Sequence, residues 1–255
     1  MKKTGIMTDS HSGILQSEAD ELGIGVLPMP FYIDEKLYRE GVDISREEFY
    51  DRLRKGVDVS TSQPSPEEVM KMWDTMLEQY EELVYIPISS GLSGSCMTAQ
   101  AMAQDEPYAG KVFVVDNGRV STPMHRSVLD AVELAGKGYS AERIKKILED
   151  NRENMVIYVG LSTVSYLKKG GRISSVAAVA ADVLNIKPVM KFGVGKLDVY
   201  QKCRGIKNAR KAMIDAIKKE FATTFKDAYE AGKVYLMAAS SSTEEVTREW
   251  VAQIK

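Results

Sequence analysis

The feature that most limits the fold is the alternation of short β-branched runs with longer helical patterns along all 255 residues. Parallel strands need long crossover connections, and helices are the usual crossover, so this alternation implies an α/β protein with a mainly parallel sheet. Residues 4–7, 83–88 and 112–115 are short runs that read as strands, 83–88 as a buried one. Residues 25–33 form another extended stretch, interrupted by Pro28 and Pro30. Ser45 with Glu48 three residues later opens a helix in a capping-box pattern, and Ser65 caps a helix that starts at Pro66. Residues 60–66, Ser-Thr-Ser-Gln-Pro-Ser-Pro, are expected to be a loop, because two prolines forbid a helix interior. Residues 95–104, 122–136 and 140–151 read as helices, and 155–161 as a strand.

Past that strand the pattern changes. Helices are expected at 163–169 and 174–184, on either side of Gly170-Gly171. A hairpin follows at 187–192 and 196–203, then a helix at 206–225, a strand at 233–239 and a helix at 243–254. The expected organisation is an N-terminal α/β domain over residues 1–158 and a smaller C-terminal α/β domain over 159–255.

Charge narrows the function. Lys+Arg is 34 and Asp+Glu is 36, a formal charge of −2, so no basic field attracts nucleic acid. Mean hydropathy is −0.23, and charges interrupt every apolar run short of a membrane span. Met1–Ser10 has two lysines but no apolar core, so no signal peptide is expected, and the default reading is a soluble cytoplasmic protein. Cys96 and Cys203 lack metal-ligand spacing and do not indicate a disulfide framework.

The chemistry collects in loops. Ser89-Ser90-Gly91-Leu92-Ser93-Gly94-Ser95 joins an apolar strand to a helix N-terminus, where free N–H groups and the helix dipole favour an anion. No lysine lies within it, which suits a small carboxylate better than a polyphosphate; a plain Ser/Gly connector with an N-cap is the other reading. Thr61-Ser62-Gln63-Pro64 is a second hydroxyl-rich loop, alone an ordinary helix entry. Together the two loops can supply Thr61 and Ser93 to one carboxylate. No P-loop or dinucleotide fingerprint appears. Gly91-Leu92-Ser93-Gly94-Ser95 only approaches a nucleophile elbow, since its closing glycine is a serine. His11 and His125 read as solvated or capping residues. In Tyr166–Ser174 a helix C-cap explains Lys168, Lys169 and Gly170, but leaves the second glycine and Arg172 unaccounted for.

These elements, in order, resemble the DegV family: Thr8-Asp9-Ser10, Thr61-Ser62-Gln63-Pro64-Ser65-Pro66, Ser89–Ser95 with Ala99, Val114-Val115-Asp116, Leu167–Ser174 and Leu184-Asn185-Ile186-Lys187-Pro188. The resemblance implies a two-domain DegV-like α/β fold with a long-chain fatty acid buried between or beneath the domains. It implies that Thr61 and Ser93 hold the carboxylate, with Ser62 and the Gly94 backbone as neighbours. It further implies a lipid-binding protein rather than an enzyme, with no cofactor or metal and a fatty acid kinase ATP-binding subunit as partner. Arg172 is implied in engaging that kinase, which phosphorylates the bound carboxylate. Family members continue past the last helix into a strand region with a histidine and a Gly-Pro-Gly turn near the carboxylate. The sequence ends at Lys255, so either it is incomplete or this member lacks that element. A serine hydrolase of acyl esters using Ser93, or a small-carboxylate sensor, is the alternative function.

Overall fold

The computed structural model describes residues 2–173 and 185–254, so the helix expected at 174–184 lies outside the described residues. The chain divides into two compact units, Met1–Glu153 and Asn154–Lys255.

The first unit is built on four parallel strands in the order β2-β1-β6-β7: β1 (Lys2–Asp9), β2 (Gly25–Leu27), β6 (Tyr80–Ile86) and β7 (Val112–Val114). Both faces are covered, which explains why the strands read as continuous apolar runs. Successive side chains point to opposite faces. Met7, Leu83 and Tyr85 therefore pack with Trp73 and Met76 of α3 (Pro66–Leu77) and with Cys96 and Ala99 of α4 (Ser95–Met102). Ile6, Val84 and Ile86 pack on the other face, with Ala19 of α1 (Gln16–Leu22), Val128 of α5 (Ser121–Gly136) and Ile144 of α6 (Ala141–Asp150).

A second, antiparallel sheet in this unit has the order β4-β3-β5, with β3 (Pro30–Ile33), β4 (Lys36–Arg39) and β5 (Val59–Thr61). It corrects the reading of residues 60–66 as wholly loop: Ser60 pairs with Tyr32 and Thr61 with Phe31. The prolines restrict the backbone only from Gln63 onward, which leaves β-branched Val59 and Thr61 free to extend. Val59 packs against the cluster of Phe31, Ile33, Tyr38 and Ile44. Before β5 runs α2 (Arg46–Arg54), where Ser45 Oγ accepts from the Glu48 N–H at 3.1 Å.

The second unit holds an antiparallel sheet in the order β10-β9-β8: β8 (Ile157–Gly160), β9 (Ile186–Gly193) and β10 (Lys196–Arg204). The expected hairpin is present, turning at Val194-Gly195 between the paired Gly193 and Lys196. The helix Ile206–Ala222 packs on this sheet through Ala209 and Ala212, and Glu220 ties down the far end. Glu220 accepts from Tyr158 Oη at 2.7 Å and Lys191 Nζ at 2.9 Å. Two expectations need correction here. The helix expected to run to 225 ends at Ala222 and resumes as the short helix Lys226–Glu230. The strand expected at 233–239 is irregular backbone with Tyr235, Leu236 and Met237 exposed. Strand propensity describes fit to a pleated neighbour, and no strand among the described residues pairs with this segment. The helix Glu244–Ile254 follows.

Candidate functional site

The sheet order places the chain reversal between β1 and β6, since the chain moves from β1 outward to β2 and later builds outward from β6 to β7. In open parallel sheets the crevice at the carboxyl ends of such strands is where ligands bind. Three turns meet there. The first follows β1: Asp9 is fully buried, and its carboxylate accepts from the Ile88 N–H at 2.8 Å and the His11 N–H at 2.9 Å. His11 Nδ1 lies 3.0 Å from the same carboxylate. Asp9 thus fastens the end of β1 to the loop leaving β6.

The second turn is Ser89–Ser95. The Leu92 and Ser93 N–H groups donate to Ser89 O at 3.0 and 3.2 Å, coiling the loop over a buried serine. Gly94 sits at the N-cap of α4 and has no side chain to cap it, so Ser93 takes that role. Ser93 Oγ accepts from the Ser95 N–H at 3.2 Å and from Ser95 Oγ at 3.0 Å. Both lone pairs of this oxygen are then occupied, which leaves its O–H to donate outward. Next to it, burial pushes the Cys96 thiol up to about 12, with the negative charge of Asp116 adding to the effect. A thiol so protonated is no nucleophile at neutral pH.

The Thr61–Pro64 segment enters from β5. Ser65 and Glu68 form a full capping box at the start of α3, and Arg39 Nη2 donates to Glu68 Oε1 at 2.9 Å. The Ser65 backbone N–H, and then Arg39, hold the Glu68 carboxyl below its usual value. This anchored helix start delivers Gln63 to the serine loop: a Cβ built on Gly94 would lie 3.3 Å from Gln63 Oε1. Thr61 and Ser62 are exposed, Ser93 is partly buried, and Ser62 Oγ donates to Gln63 O at 3.1 Å. The two hydroxyl-rich segments picked out by sequence are therefore neighbours.

The third turn follows β7. Asp116 accepts from Ser90 Oγ at 2.6 Å, from the Ser90 N–H at 3.3 Å and from the Gly118 N–H at 3.3 Å. The Ser89 N–H donates to Arg119 O at 2.9 Å. Between these ties lies Asn117, 1% exposed, with neither Oδ1 nor Nδ2 hydrogen-bonded among the described residues. A buried polar group left unpaired costs about 1–3 kcal/mol. Sequence reading passed over Asn117, because an Asp-Asn-Gly run looks like an ordinary surface turn.

Arg172 belongs to the second unit, at the end of α7 (Ser165–Lys169). The Arg172 N–H donates to Leu167 O at 3.0 Å and the Gly171 N–H to Lys168 O at 3.1 Å, the paired bonds of a Schellman ending. Gly171, at φ +70°, is the residue that must be left-handed, so it, rather than Gly170, makes the exit. Arg172 is exposed, and its guanidinium donates to Gly170 O.

Ser93 is bonded to neither histidine among the described residues; His11 pairs with Asp9, and His125 Nε2 lies 2.9 Å from Glu18. Among the same residues no group of His, Cys, Asp or Glu is placed to hold a metal ion, and no helix is long and apolar enough to cross a membrane.

Comparison with known proteins decides the family. A model of the DegV family of uncharacterised proteins matches residues 3–255. The chain belongs to the DegV family. A DegV domain-containing protein of Caldanaerobacter subterraneus is 33% identical over 218 residues, spanning 86% of this chain and 78% of its own. Among solved structures, a DegV family protein from Thermus thermophilus that binds fatty acid superposes with a TM-score of 0.75 at 32% identity, covering 85% of this chain and 77% of that one. A stearic acid-binding protein from Eubacterium ventriosum reaches a TM-score of 0.83 over 98% of this chain and 86% of its own. At 22% identity that likeness is one of fold.

Proposed function

We propose that this DegV family member binds one long-chain fatty acid, with its carboxylate at Thr61 and Ser93 and its tail in a buried apolar tunnel. Ser62 and the Gly94 backbone are the adjoining polar groups. The observation that carries the reading is the meeting of the two hydroxyl-rich segments at Gln63 and Gly94, beside a Ser93 hydroxyl whose proton is left to donate. The Thermus thermophilus relative, which binds fatty acid, supports the same ligand class. Neutral hydroxyl donors suit a carboxylate that must stay reactive, because they orient it without a bound cation neutralising it.

Burying about fifteen methylenes contributes roughly 12 kcal/mol before association costs, enough for a lipid to survive purification. Organic extraction of protein purified from cells, followed by mass spectrometry, should release about one fatty acid per chain. Folded protein yielding none would remove the lipid reading and favour a small-carboxylate sensor.

Beyond binding, the protein presents the acid to an ATP-dependent fatty acid kinase subunit. A carboxylate oxygen attacks the γ-phosphorus of ATP, the bond from that phosphorus to the β,γ-bridging oxygen breaks, and ADP leaves as the acyl phosphate forms. Arg172, exposed at the end of a fixed turn, is the residue that engages the kinase. Arg172→Ala should leave fatty-acid affinity unchanged and slow acyl-phosphate formation about tenfold or more, a loss of ~1.4 kcal/mol per decade. An unchanged rate would remove Arg172 from this role.

A further inference from the structure

The Asp116-Asn117-Gly118-Arg119 turn is fastened to the serine loop on both sides of Asn117, by Asp116 to Ser90 and by Ser89 to Arg119. An asparagine in such a turn can ordinarily face water at no cost, and here it is 1% exposed. Both of its side-chain polar atoms lack a partner among the described residues. Buried amides in native proteins are almost always paired, so this one calls for a polar partner that the described residues do not supply.

We propose that the Asn117 carboxamide is a further group of the fatty-acid head-group site, donating through Nδ2 to the bound carboxylate. The inference rests on the fatty-acid reading above. A carboxylate offers about four acceptor positions, and the Thr61 and Ser93 hydroxyls fill two, leaving room for an amide donor. An amide adds a hydrogen bond without adding positive charge, in keeping with the other donors of the site.

The test uses delipidated full-length protein and palmitate, with affinity read by calorimetry and ligand-free stability by thermal unfolding. Asn117→Leu, close in shape and without polar atoms, should weaken palmitate binding about tenfold, or ~1.4 kcal/mol. Its ligand-free melting temperature should be held or raised, because the unpaired groups are gone. Asn117→Ala should show the same loss of affinity if leucine overpacks the turn. Asn117→Asp, nearly isosteric but negative, should weaken binding further, about a hundredfold. Leucine and alanine variants that bind palmitate within twofold of wild type would overturn the proposal. So would a marked drop in ligand-free melting temperature in both, which would assign the amide to the loop's own structure. Wild-type protein that binds no palmitate would instead remove the fatty-acid reading on which the proposal depends.

Discussion

Replacing Thr61 and Ser93 together by alanine should weaken fatty-acid binding by about two to four orders of magnitude. Each hydroxyl donating to an ionised carboxylate contributes roughly 1.5–3 kcal/mol, so the pair accounts for ~3–6 kcal/mol, at ~1.4 kcal/mol per decade. The single substitutions separate two effects. Thr61→Ala removes an exposed hydroxyl on a short edge strand and should leave the fold intact. Ser93→Ala also takes away the acceptor for the Ser95 N–H and hydroxyl, loosening the start of α4. Palmitate titration of delipidated protein measures the loss. A double variant within threefold of wild type would show that the carboxylate is anchored elsewhere.

Trp73→Ala should destabilise the first unit by about 3–5 kcal/mol, the range for truncating a large buried aromatic. Trp73 is fully buried on α3 and meets Tyr108 and Tyr85 edge to face, with ring centroids 5.0 and 6.2 Å apart. It belongs to the cluster that seats α3 and α4 on the sheet, so its loss also frees the two helix starts that carry Ser65 and Ser93. Trp73→Phe should cost much less. It keeps most of the aromatic body and removes an indole N–H that has no partner among the described residues. Chemical denaturation followed by far-ultraviolet circular dichroism distinguishes the two variants. Equal stability of the alanine variant and wild type would contradict the packing described here.

The parallel strands and most helices of the first unit were readable in the sequence because both faces of that sheet are covered, whereas the antiparallel strand β4 was not expected. Runs such as 83–88 had to be apolar throughout, and Ser45 and Ser65 marked helix starts by chemistry local to a few residues. The antiparallel strand β5 was not readable, since three residues before a proline-rich segment carry no periodicity of their own. The strand expected at 233–239 failed for the opposite reason: its residues favour extension, but extension becomes a strand only against a partner. The role of Gly171 was hidden because two adjacent glycines look alike until the bonds from Arg172 and Gly171 assign the left-handed position to the second.

The sequence by itself determined the α/β class, the family, and the two segments rich in hydroxyls and glycines, because each depends on residue type at short spacing. Only the tertiary structure decided that those segments meet, through Gln63 at Gly94, and that Asp9 locks β1 to the β6 loop. It alone singled out Asn117, whose burial without a partner among the described residues depends on residues brought together from β6 and β7. Pairing across 26 or 79 residues, as in Ser90–Asp116 and Asp9–Ile88, leaves no trace in local pattern. Such contacts arise from strand order, and strand order is settled by how the whole sheet buries its two faces.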